Sequence, residues 1–127
     1  MRPELRIVLV CTCLSIYDFA VANDEETPKL IADGHIWLMI DTGKQHTCGI
    51  TTSNELMCWG NNDEWQVGDG GSSTWNDFEE PLHIATDMRF KHVNCGHTSS
   101  CAITLDDEVY CWGETKHGEI GNGLFGE

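Results

Sequence analysis

The sequence predicts an all-β protein built from short antiparallel strands. Three features carry that expectation. The chain repeats itself at a shift of 53 residues, each repeat holds a segment that alternates about a polar turn, and each such segment places two cysteines opposite one another. Laying 28–70 on 81–123 needs no gap and matches 13 of 43 positions. Most of the identities are Gly, Cys, Trp and Pro, which coincide by chance least often, so the repeat is established before the fold is argued.

Taken in order, residues 1–22 read as a secretory signal peptide. Arg2 and Arg6 give the positive end, Ile7 to Ile16 the apolar core, and Ala20-Val21-Ala22 the small residues that a signal peptidase needs. The apolar core is too short to span a bilayer, and no membrane contact is expected. Residues 23–27 (NDEET) form an acidic N-terminal tail. Repeat 1 covers 28–80 and repeat 2 covers 81–127, a truncated second repeat being one expectation.

Within repeat 1, Thr47 to Gly60 alternates with period two about Ser53-Asn54. Within repeat 2, Ser100 to Gly113 does so about Asp106-Asp107. This is hairpin chemistry. A turn centred on Ser53 puts Cys48 opposite Cys58 and Ile50 opposite Leu56. One face then carries Cys48, Ile50, Leu56 and Cys58, suited to a core; the other carries Gly49, Thr51, Glu55 and Met57. Cys101, Ile103, Val109 and Cys111 repeat the first pattern, and two different sequences obeying one rule fix the register. Residues 71–80 read as a connector between the repeats.

Opposed residues of an antiparallel pair have Cα atoms about 4.5–5.5 Å apart, within disulfide reach. The pairs Cys48–Cys58 and Cys101–Cys111 are therefore predicted, each closing a short loop and contributing about 3 kcal/mol on the chain-entropy model. Cys95 is left as the unpaired thiol, its counterpart in repeat 1 being Thr42. The rival reading is a zinc site of four thiolates. The ten-residue spacing across a hairpin and the oxidising compartment weigh against it, so no metal and no cofactor are expected.

Lys and Arg number 7 against 21 Asp and Glu, a net charge of -14. Nucleic acid is excluded as a partner on that ground, because phosphate affinity comes from Lys and Arg. No zinc-protease helix motif and no nucleophile-elbow motif occurs, so the expectation is a protein that is not an enzyme.

Gly43-Lys44-Gln45-His46-Thr47-Cys48, Cys58-Trp59-Gly60 and Gln66-Val67-Gly68-Asp69-Gly70 recur as Gly96-His97-Thr98, Cys111-Trp112-Gly113 and Gly118-Glu119-Ile120-Gly121-Asn122-Gly123. Together they resemble the regulator of chromosome condensation repeat family, over 28–123. The cysteine pairs resemble a secreted, disulfide-bearing branch of it. His97-Thr98 stands two residues earlier relative to its cysteine than His46-Thr47 does, a departure from the pattern. The resemblance implies two β-propeller-type blades of antiparallel strands, a partial propeller or one that assembles, where a ring usually has about seven. On the 53-residue period the next proline falls seven positions beyond Glu127. A fragment of a longer protein is the first expectation, self-assembly of short chains the second.

The resemblance also implies loop-built faces that engage protein partners. The functional expectation is a secreted, extracellular binding module, with Trp65, Trp75 and Phe78 as binding-surface candidates, since aromatics dominate interface energetics. These rings could instead pack between blades. The alternative is an acidic extracellular-matrix or mineral-associated protein. There Asp24-Glu25-Glu26, Asp77/Glu79/Glu80 and Asp106-Asp107-Glu108 would gather weakly bound calcium, although none has the spacing of a dedicated calcium loop.

Overall fold

The computed structural model describes Pro28, Leu30, Ile31, 34–71 and 77–121. The expected signal peptide, the acidic tail, Trp75 and 122–127 lie outside the described residues. The described strands number seven, and no helix occurs among the described residues. β1 (Trp37–Thr42), β2 (His46–Thr51), β3 (Leu56–Gly60) and β4 (Phe78–Ile84) form one antiparallel sheet in that order. β5 (Phe90–Cys95), β6 (Ser99–Thr104) and β7 (Val109–Gly113) form a second.

The hairpins have the expected register. Cys48 pairs with Cys58 and Ile50 with Leu56 in the first sheet, as Cys101 does with Cys111 and Ile103 with Val109 in the second. Each turn is closed at a residue with left-handed backbone, Asn54 at φ 61° and Asp107 at φ 67°, and Asn and Asp tolerate that region best after glycine. The first strand pair of each sheet slips once, between Trp37 and Met39 and between Phe90 and His92, so even this irregularity keeps the period.

β4 is not legible as a strand in the sequence. Its first residues lie in the segment that reads as a connector, and the strand straddles the 80/81 boundary of the sequence period. It is an edge strand of the described sheet, where Glu79 and Glu80 stay exposed and Pro81 needs no ladder partner. The pairing with β3 is irregular between Cys58 and Gly60, beside that proline.

The sheets stack face to face, with β5 against β1 and β2. Cys48, Ile50, Leu56 and Cys58 are fully buried and form one core with Val67, Ile84, Phe90, Val93 and Ala102. The turn of the first sheet grips the second: the Asn54 carbonyl accepts from the Phe90 N–H at 2.8 Å, and Asn54 Nδ2 donates to the Phe90 carbonyl at 2.9 Å. Asp41 makes a similar grip further along, its carboxylate accepting from Asn94 Nδ2 and from the Cys95 N–H.

The two hairpins are not equally buried. The cysteine face is core in the first sheet only. In the second, Cys101, Ile103 and Cys111 are half-buried and Val109 is 64% exposed. The reason is positional: the cysteine face of the first sheet meets the second sheet, and no described sheet meets the cysteine face of the second. The face expected to be polar is also more buried than expected. Thr51 and Met57 are buried, Trp37 lies over Gly49, and Trp37 stacks near Trp59 with ring centroids 5.6 Å apart.

Candidate functional site

The seam between the sheets is organised by the loop that follows β3. Asn62 and Gln66 are buried there and spend their amides on the loop itself. Asn62 Oδ1 accepts from the Val67 N–H, Gln66 Oε1 accepts from the Glu64 N–H, and Gln66 Nε2 donates to Asn61 Oδ1. This leaves the Gln66 carbonyl facing the second sheet. It accepts two bonds from there, from Ser100 Oγ at 2.8 Å and from Trp112 Nε1 at 2.9 Å. Ser100 has one proton and gives it to Gln66, so His46 Nε2, 2.8 Å away, is the donor to Ser100. His46 is 3% exposed and its Nδ1 has no partner. Burial pushes its pKa below the ordinary histidine value, so the ring is neutral at pH 7.

Gly68 shows how tight the seam is. A Cβ on it would lie 2.6 Å from Trp112 Nε1, and its φ of +85° already belongs to glycine. Where the loop leaves the seam, it opens a cleft of about 520 Å³. Trp65 lines it from the loop, Ala85 and Met88 from the β4–β5 link, Phe90 from β5, and Tyr110 and Trp112 from β7. Trp65 is 43% exposed on backbone at φ 62°, a conformation that is uncommon for a bulky residue. The cleft can receive an apolar group, with aromatic rims and little polar surface to orient it.

Other sequence-derived candidates fall elsewhere. Phe78 starts β4, opposite Gly60, and packs against the core rather than standing free. The structure joins Cys48 to Cys58 and Cys101 to Cys111, each with Cα atoms 4.1 Å apart. Cys95 is a free thiol among the described residues. It donates to the Asp41 carbonyl, and desolvation together with the Asp41 charge pushes its pKa up to about 11. Asp106, Asp107 and Glu108 are exposed; Lys91 pairs with Asp107, and Glu108 accepts from the Tyr110 hydroxyl. Asp77, Glu79 and Glu80 are exposed as well.

Two side-chain groups come close enough to suggest a metal. His46, Cys48 and Cys95 converge, but the Cys48 sulfur is committed to its disulfide and offers no thiolate. Glu114, His117 and Glu119 converge at the surface, where Glu114 accepts from Thr98 Oγ1 and lies near Lys116 Nζ, and Glu119 accepts from the His117 N–H.

The regulator of chromosome condensation (RCC1) repeat matches residues 40–66 and 90–119, the two hairpins and their flanks. The chain belongs to that repeat family. It is 33% identical over 107 residues to the ultraviolet-B receptor UVR8 of Arabidopsis thaliana, covering 80% of this chain and 24% of that protein. It is 28% identical over 85 residues to the human probable E3 ubiquitin-protein ligase HERC6, covering 67% of this chain and 8% of the ligase. Among solved structures it superposes on Prp20p of Saccharomyces cerevisiae with a TM-score of 0.67 at 20% identity, over 76% of this chain and 24% of that one. The chain thus spans about a quarter or less of these relatives. The two sheets are RCC1-type propeller blades, and the seam with its cleft is a contact between consecutive blades.

Sequence reasoning reached Trp65 but missed Gln66, Met88, Ser100, Tyr110 and Trp112 as partners in one site. For Ser100, Tyr110 and Trp112 the signal was present in the face rule, whereas Gln66 and Met88 lie between strands, where that rule does not reach. Ala102 and Tyr110 lie on the second hairpin opposite its cysteines, and that face meets the preceding blade once blades stack.

Proposed function

We propose that the chain is a protein-binding module without catalytic activity that works outside the cell, with the cleft between its blades as the seat for an apolar side chain of the partner. The cleft carries this reading. It is concave, apolar and rimmed by Trp65 and Tyr110, the residue types that dominate binding energy when they are buried by a partner. The net charge of -14 adds a preference for a partner with a basic rim. His46 is held neutral with Nε2 engaged, which suits a structural role rather than a general base in water. Prp20p has binding properties toward Gsp1p and histones, a precedent for protein partners in that protein. The secretory reading of 1–22 and the two disulfides support an extracellular setting.

The test has two parts. The intact mass of the chain released by cells should equal that of 23–127 less four hydrogens, with one alkylatable thiol. A retained leader or reduced cysteines would refute secretion. Proteins cross-linked to the released chain should be lost with Trp65→Ala and with Met88→Asp, while circular dichroism stays unchanged. Capture indifferent to both changes would remove the cleft from the binding reading.

A further inference from the structure

The chain makes one apolar interface internally and displays both halves of it again on its outer faces. In the internal contact the first blade presents Cys48, Ile50, Leu56 and Cys58, and the second presents Phe90, Val93 and Ala102, none more than 1% exposed. One period on, the counterparts of the first set are Cys101, Ile103, Val109 and Cys111, half-buried or exposed on the far face of the second blade. One period back, the counterparts of Phe90 and Val93 are Trp37 and Ile40. Ile40 pairs with Gly49 and so lies on the face away from the second blade; it is 49% exposed where Val93 is sealed. We propose that a second copy of the chain docks head to tail, its Ile40 face against the Val109 face of the first, repeating the contact already made between the two blades.

The halves fit in detail. Val109 stands for Leu56, Trp37 for Phe90 and Ile40 for Val93, apolar for apolar, while the counterpart of Ala102 is Gly49, over which Trp37 already lies. The buried pair of His46 and Ser100 would be replaced by Ser99 and Thr47, two hydroxyls that can bond each other. The bond from Trp112 Nε1 to the Gln66 carbonyl has its counterpart in Trp59 Nε1 and the Glu119 carbonyl. Gly68 is where Trp112 presses on the first blade, and a Cβ built on its counterpart Gly121 meets no atom of the described residues within 4 Å, where Trp59 of the next copy would press. The free edge of β7 adds to the drive, because among the described residues no strand pairs it as β4 pairs β3. A contact of this kind joins two different patches, so it propagates into rings or open stacks rather than closing as a symmetric dimer. The shared negative charge opposes it, so assembly should strengthen with salt, which screens surface charge.

Sedimentation velocity tests this on the whole chain with both disulfides formed. The wild type should grow in mass across the micromolar to sub-millimolar range. Ile40→Asp and Val109→Asp each change an exposed side chain and each spoil one half. Either variant alone should need at least about tenfold more protein to associate, the equivalent of about 1.4 kcal/mol. Mixed together they should form a one-to-one dimer and nothing larger, because one good half remains on each. Ile40→Lys and Val109→Lys repeat the experiment should an aspartate disturb folding. A wild type that stays monomeric throughout, which would assign these faces to further blades or to another protein, overturns the proposal. So does a single variant that assembles as the wild type does, or a mixture that stays monomeric while the wild type assembles. Trp65→Ala should leave assembly unchanged, so failure of this proposal is distinct from failure of the binding reading.

Discussion

Removing the Ser100 hydroxyl should weaken the seam more than its size suggests. Ser100→Ala deletes one oxygen, and the cavity is negligible. What matters is the partners left behind. The Gln66 carbonyl keeps Trp112 Nε1 at 2.9 Å and remains satisfied. His46 does not. Its Nε2–H loses the acceptor at 2.8 Å, and its unprotonated Nδ1 already lacks a donor, so a ring 3% exposed is left with no partner. An orphaned buried donor costs about 1–3 kcal/mol. With a urea slope of about 1–2 kcal/mol per M, the unfolding midpoint should fall by about 1 M. Tryptophan fluorescence at one fixed protein concentration, with disulfides intact, reads this directly. Ser99→Ala, half-buried one residue away, should cost within about 0.5 kcal/mol. Combining Ser100→Ala with His46→Leu should cost less than the two singles summed, because the orphan is removed with its partner. A Ser100→Ala midpoint equal to that of Ser99→Ala would refute the assigned bond and the histidine tautomer with it.

Three further outcomes follow from the same geometry. Burial lowers the His46 pKa, so below about pH 6.5 the unfolded chain binds the proton more readily than the folded one; stability at His46 is present above that pH and falls as pH drops through the folded value. His46→Gln should flatten that part of the urea-midpoint profile between about pH 7.5 and 5.5, and an unchanged slope would count against it. Cys95, with its pKa pushed up to about 11, should react with iodoacetamide at pH 8 about 100-fold more slowly in the folded chain than in the unfolded one; equal rates would contradict the burial. Gly68→Ala and Gly70→Ala both force alanine to positive φ, at about 1–2 kcal/mol, but only the first drives a Cβ to 2.6 Å from Trp112 Nε1. Gly68→Ala should therefore unfold at clearly lower urea than Gly70→Ala, and equal midpoints would dismiss the close approach.

What can be read in advance is whatever the period and the alternation encode locally. Cys48 opposite Cys58 follows from a turn centred on Ser53, and the same turn recurs centred on Asp106. β4 escapes because an edge strand with Glu79, Glu80 and Pro81 has no buried face to enforce alternation over its first half. The seam escapes because its bonds link residues 34 to 54 apart, His46 to Ser100 and Ser100 to Gln66, across two sheets whose stacking no local pattern states. Cys101, Ile103 and Val109 read as core because pattern reports which face is apolar, not whether anything covers it. Trp65 and Phe78 look alike in sequence and differ in the structure, because one sits in a loop at left-handed backbone and the other starts a strand.

Both disulfides span one hairpin and neither joins the two blades. Under tension applied at the chain ends, the load bypasses the hairpin tips, because it passes through the sulfurs instead. A sequence separation of 10 hides about 35 Å of contour length in each hairpin until reduction releases it. The weak plane is the seam, where packing, hydrogen bonds and the surface ion pair of Lys116 with Glu64 hold the blades and no disulfide crosses. Pulled, the protein would part there first into two covalently looped halves, each keeping its tip, and the lost contact could re-form without either hairpin having to be rebuilt.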